Sequence, residues 1–155
     1  MAALCGTKRA VAVANGTDAL VMCLKALGIG PGDEVLTAPN SFVASASCAG
    51  LIGASPAFCE IGADQLMDPA ALSKAITPRT KAIMPVHLTG RVCDMEKILE
   101  VAGKRGIPVI EDAAQAVGAS RGGRRAGSFG RASCFSFHPL KNLNAAGDAG
   151  AITTD

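Results

Sequence analysis

Tryptophan and tyrosine are absent from this 155-residue chain, so five phenylalanines carry every aromatic contact it can make. Charge of one sign is lacking as well: 15 Lys and Arg stand against 13 Asp and Glu, a net +2. That balance offers no argument for a nucleic-acid or membrane-surface partner. The basic residues are scattered, and the one local cluster, Arg121 to Arg125 (RGGRR), reads as a hairpin turn. No apolar run is long enough to span a membrane. The opening MAALCGTKRA lacks the long apolar region of a signal peptide. Six cysteines (Cys5, Cys23, Cys48, Cys59, Cys93, Cys134) stand singly, with no C-x-x-C and no zinc spacing. They read as small buried hydrophobes of a cytoplasmic protein. Internal repeats and low-complexity stretches are missing too. What is there, 49% hydrophobic and 18% charged residues, describes one globular domain with a single core.

Two kinds of segment alternate along the chain. Apolar β-rich runs cover Arg9–Ala14, Glu34–Thr37, Ser55–Ile61, Lys81–His87, Ile107–Glu111, Ala132–Phe137 and Gly150–Thr153. Helical periodicity covers Thr17–Leu27, Ser41–Gly53, Pro69–Ile76 and Asp94–Lys104. In the first helix Leu20, Cys23, Leu24 and Leu27 share one face, and Gly28 stops it. Asp68 caps a helix that has Pro69 at its first position. Met1–Gly6 reads as the last turn of a helix and Ala149–Asp155 as a strand just begun, the pattern expected of a piece of a larger protein. Strands alternating with helices of this length imply βαβ units and a mainly parallel sheet. The runs are continuously apolar, as expected when helices cover both faces. In such sheets ligands sit at the carboxyl ends of the strands.

The loops at those ends hold the polar residues. Asn15-Gly16-Thr17 ends a strand and opens a helix, where free N–H groups and a hydroxyl can hold an anion. An ordinary helix cap explains the same residues. Neither a Walker loop nor G-x-G-x-x-G is present, which removes the fingerprint of a dinucleotide-binding dehydrogenase. Asp112 follows the apolar run IPVI, and a carboxylate there needs a cationic or hydrogen-bonding partner. It caps a helix, or it holds a protonated ring nitrogen or a metal. A metal is disfavoured, since no histidine is near in sequence, although folding could bring His87 close. Lys141 lies four residues beyond the run ASCFSF, with Ser136 five positions before it. A lysine partly desolvated at a strand end can act as nucleophile and general base. Taken singly, each has a bland explanation. Jointly they supply a phosphate cradle, an aromatic at Phe42, an anion at Asp112 with Gln115, and an amine at Lys141. That is the set of parts a pyridoxal phosphate site requires.

The segments VAVANGTDAL, GDEVLTAPNSFVAS, GASPAFCEI, KAIMPVHLTG, IPVIEDAAQAVGA and SFGRASCFSFHPLKNLNAAGDAGAITTD carry a resemblance. In order and spacing the chain resembles the DegT/DnrJ/EryC1/StrS sugar aminotransferases, fold-type I pyridoxal-phosphate enzymes. The resemblance implies a three-layer αβα domain with a mainly parallel mixed sheet. It implies that Lys141 is the Schiff-base lysine and Asp112 the partner of the pyridine nitrogen. Gln115 is implied near the ring hydroxyl, Phe42 on the ring face, and Gly16, Thr17 and Ser136 at the phosphate. His87 and Asn142 are given supporting roles.

The implied reaction moves an amino group from an amino acid, with glutamate the expected donor, to a nucleotide-linked keto sugar for cell-surface polysaccharide or antibiotic biosynthesis. A homodimer with its active site at the interface is implied. Residues 1–155 correspond to part of the large cofactor-binding domain, with an earlier segment and a C-terminal small domain outside them. Sugar dehydratases of the family carry histidine where this chain has Lys141. A regulatory protein that keeps the fold without catalysis is the remaining alternative. The family's Gly-Asp-Gly-Gly or Gly-Glu-Gly-Gly reads Gly147-Asp148-Ala149-Gly150 here, and Ala149 is disfavoured if that position needs positive φ.

Overall fold

The computed structural model describes residues Met1–Asp155. Nine strands and five α-helices follow in the order α1 (Ala2–Cys5), β1 (Arg9–Val13), α2 (Gly16–Ala26), β2 (Glu34–Thr37), α3 (Ala44–Gly50), β3 (Ser55–Phe58) and α4 (Pro69–Ala75). Then come β4 (Thr80–Met84), a 3-10 turn at Leu88–Gly90, α5 (Met95–Lys104), β5 (Ile110–Asp112), β6 (Ser120–Arg121), β7 (Arg124–Arg125), β8 (Ala132–Ser136) and β9 (Gly150–Thr154). The strands β3-β2-β4 form a parallel sheet, and β1-β9-β8-β5 a mixed one. Parallel bridges Ile83↔Val109 and Val86↔Asp112 join β4 to β5, so the layer is continuous. Within this layer only β9 runs against its neighbours, β8 and β1. The sheet is therefore mainly parallel, as the alternation of segments requires.

Consecutive strand residues face opposite sides. Leu36, Ile83, Val109 and Phe135 enter one core with Leu72 of α4 and Met95, Ile98 and Ala102 of α5. Val35, Ala82, Met84, Ile110 and Cys134 enter a second core with Leu20, Cys23 and Leu24 of α2 and Cys48 of α3. Helices thus sandwich the sheet in three layers, and the expected single core is two. All six cysteines are free and buried, and burial pushes the Cys48 and Cys93 thiols up to about 12.

Some expectations move. Helix coverage does not reach the edges: most of β1 and β3 is exposed, Val11 and Phe58 included. The helix expected from Ser41 begins at Ala44, leaving Ser41 and Phe42 in an irregular lip. The run Ser55–Ile61 pairs with β2 only to Phe58, since β2 ends at Thr37, and Ile61 bridges Met67 instead. The run Ile107–Glu111 becomes Ile110–Asp112, because Pro108 has no N–H to give to a ladder. Arg121–Arg125 forms the expected hairpin, β6 against β7.

Candidate active site

Asn15 caps α2, its Oδ1 accepting the Asp18 N–H at 2.8 Å. Gly16 follows, and a Cβ there would lie 2.7 Å from Ser136 Cβ. Glycine is needed because the start of α2 presses against the end of β8. The arrangement sets the first N–H groups of α2, the Thr17 hydroxyl and Ser136 on one wall. Ser136 Oγ accepts the His138 N–H at 3.3 Å.

Asp112 ends β5 on the same side. Its side chain is 5% exposed and faces a cleft of about 600 Å³. Ser45 Oγ donates to Oδ2 over 2.6 Å, and the Ala114 N–H donates to Oδ1 over 3.2 Å. No helix follows Asp112, so it is not a helix cap; the Ala114 bond closes a local turn instead. Lys141 stands across the cleft, half-buried, its Nζ 5.9 Å from the centre of the Phe42 ring. Phe42 is 64% exposed, an aromatic face open to the cleft. Gln115 also lines it, and its Oε1 accepts the Thr89 N–H at 2.9 Å, which leaves the amide NH2 free to donate.

Gly16, Thr17, Phe42, Asp112, Gln115, Ser136 and Lys141, chosen from four separate strand ends, thus border one cleft. His87 does not. It is fully buried, with Nε2 2.9 Å from Glu111 Oε2 and Nδ1 accepting the Cys93 N–H at 3.3 Å. Strand pleating explains this, since Glu111 and Asp112 point to opposite faces and His87 follows Glu111. Asn142 is exposed and donates to the Val117 carbonyl at 3.3 Å, tying the Lys141 loop to the turn after β5. Sequence reasoning missed Ser41 and Ser45 behind Asp112, and Asp18, His138 and Asp148 on the cleft wall. Ser45 lies 67 positions from Asp112 in sequence, so no local motif joins them.

Glu111 is the other missed carboxylate. Oε1 accepts the N–H groups of Phe129 at 2.7 Å and Gly130 at 2.8 Å, and Oε2 accepts that of Gly127 at 2.9 Å. Burial pushes its carboxyl up, but the hydrogen bond and charge of His87, then the Gly130 N–H, outweigh it. The net effect holds Glu111 below the usual carboxylate range.

A pyridoxal phosphate molecule suits these residues. Asp112 is buried, has no cationic partner in the chain, and keeps lone pairs unused by Ser45 and Ala114. A protonated ring nitrogen would supply the missing positive donor. The amine of Lys141 and the helix start at Gly16 would then meet an aldehyde and a phosphate.

The fold places this chain in a definite class. Over 99% of its length it superposes on the aminotransferase from Psychrobacter cryohalolentis, at TM-score 0.96 and 42% identity, matching 39% of that chain. A crystal structure of S. venezuelae DesV in complex with a ketimine intermediate agrees at TM-score 0.95 and 47% identity, with 99% of this chain and 42% of that one covered. The chain thus has the fold-type I architecture of these neighbours. The chain belongs to the DegT/DnrJ/EryC1/StrS aminotransferase family, whose pattern it matches over residues 1–155. It is 50% identical to the UDP-N-acetyl-3-dehydro-alpha-D-glucosamine 3-aminotransferase of Acidithiobacillus ferrooxidans, over 99% of this chain and 42% of that protein. It spans about two fifths of the length of the curated relatives it matches.

Proposed function

We propose that the protein containing this chain is a pyridoxal-phosphate-dependent aminotransferase acting on a nucleotide-linked keto sugar. Amino acid, with glutamate the expected donor, supplies the nitrogen. Residues 1–155 would be part of the large domain of a homodimeric cytoplasmic enzyme, with the substrate entrance completed at the dimer interface. The observation that carries the reading is the opposition of an unpaired buried carboxylate, Asp112, and a half-buried amine, Lys141, across one cleft.

Each residue has a task its chemistry permits. The bound cofactor supplies an electron sink for a carbanion at the substrate carbon. Asp112 holds the ring nitrogen protonated, since a carboxylate favours a cationic donor. Lys141 Nζ would hold the cofactor through its aldehyde carbon and, as an amine at the cleft, would serve as the general base that moves a proton at the substrate carbon. Phe42 would offer its ring face to the cofactor ring. Gly16, Thr17 and Ser136 present N–H and O–H donors to phosphate. Gln115, its Oε1 held by the Thr89 N–H, would donate its amide NH2 to a ring oxygen.

Borohydride reduction in the presence of pyridoxal phosphate tests the assignment. The expected product is a stable cofactor adduct on the peptide that holds Lys141, absent from Lys141→Ala. An adduct spread over several lysines, or an unmodified Lys141, sinks the reading. Amino transfer from glutamate to UDP- or dTDP-linked keto sugars is expected from the whole enzyme and lost in Lys141→Ala.

A further inference from the structure

Two serines stand in file behind Asp112. Ser45 Oγ lies 2.6 Å from Asp112 Oδ2, and Ser41 Oγ lies 2.8 Å from Ser45 Oγ. The geometry leaves the direction of the second bond open, and chemistry settles it. An ionised carboxylate only accepts, and a hydroxyl has one proton. Ser45 gives its proton to Asp112, so Ser41 must give its own to Ser45. Both donors therefore point inward, along a line from the cleft lip to the carboxylate.

The line is placed to fix an orientation. The last torsion of an aspartate side chain is broad and roughly two-fold, so a lone donor leaves the carboxylate free to rock. Here the two oxygens have separate donors, Ser45 on Oδ2 and the Ala114 N–H on Oδ1. Ser45 is 1% exposed, so bulk water does not compete for its hydroxyl. The bond also crosses between layers, from α3 to β5, with nothing local in the chain to demand it. Ser41, half-buried at the lip, keeps Ser45 from turning its proton elsewhere.

We propose that Ser45, backed by Ser41, is a positioning residue for the reaction: it aims the free lone pairs of Asp112 at the ring nitrogen of the cofactor. The proposal rests on the cofactor reading given above. It differs from a purely structural role for Ser45, in which the bond merely pins α3 to the sheet. A structural loss weakens any ligand of the cleft alike. A positioning loss is felt only by a ligand with a ring N–H for Asp112 to meet.

Two ligands separate the cases: pyridoxal phosphate, and its deaza analogue with CH in place of the ring nitrogen. Dissociation constants are measured by absorbance titration on the whole protein, for wild type, Ser45→Ala and Ser41→Ala. Removal of one hydrogen bond to a charged group is expected to weaken pyridoxal phosphate about tenfold in Ser45→Ala and about threefold in Ser41→Ala. The visible band of the bound cofactor should shift in Ser45→Ala. The deaza analogue should change by less than about twofold in either variant. Equal weakening of both ligands, or no weakening of pyridoxal phosphate, overturns the positioning role while leaving the cofactor reading intact. If wild type binds neither ligand, the cofactor reading falls and the proposal with it. Should Ser45→Ala fail to fold, Ser41→Ala carries the same comparison, because its side chain is only partly buried.

Discussion

Two adjacent carboxylates with opposite duties summarise the chemistry of single residues here. Asp112 faces the cleft, while Glu111 faces the core and collects His87 and three backbone N–H groups. Removing the Glu111 side chain strands those donors, so Glu111→Ala should cost about 3 kcal/mol or more in urea unfolding. The acid limb follows from the same site. Glu111 is held low when folded, so its contribution is present above the ordinary carboxylate range. It is lost as pH falls through the folded value. Unfolding free energy should therefore fall on acidification in wild type and less steeply in Glu111→Gln, as read from urea midpoints across pH 3 to 7. Gly16→Ala places a Cβ 2.7 Å from that of Ser136, and overpacking of this kind costs about 1–3 kcal/mol. A thermal midpoint equal to wild type would count against the close approach. Asp112 was readable in the sequence because a carboxylate after an apolar run needs a partner. Glu111 was not, because the pleat decides which of two neighbours faces the cleft.

At the scale of elements, helix starts and stops were the clearest signals. Asp68 and Asp94 cap α4 and α5 through side-chain bonds to Ala70 and Lys97. Asn15 caps α2, and its replacement by alanine should lower stability by about 1 kcal/mol by thermal denaturation. That helix start also borders the cleft, so phosphate-bearing ligands should bind more weakly to the same variant. The loop after Lys141 raised a local conflict that the backbone resolves. Positive φ falls on Gly147, at 131°, and not on Ala149. Ala149 therefore carries no left-handed strain, and Ala149→Gly should bring no gain in thermal midpoint; the added chain freedom should lower it slightly. A clear gain would show that the position prefers glycine after all. Strand ends were the least readable feature, since an apolar run continues past the point where its partner stops, as Ser55–Ile61 does beside β2.

For the whole molecule, ligand and fold are linked. A cofactor that binds only the folded state should raise stability by about 2.7 kcal/mol at a hundred times its dissociation constant. The thermal midpoint should rise with pyridoxal phosphate in wild type and much less in Lys141→Ala or Asp112→Ala; an equal rise in all three would disconnect the cleft from the cofactor. The sequence by itself determined the alternation of strands and helices, the parallel majority of the sheet, and the strand ends where polar residues gather. Those are local matters: periodicity, caps and turn residues act over a few positions. Tertiary structure alone decided that the layer turns at an antiparallel β9, that Ser45 stands behind Asp112, and that His87 serves Glu111 instead of the cleft. Each depends on the register and pleat of strands distant in sequence, where a shift of one residue sends a side chain to the opposite face.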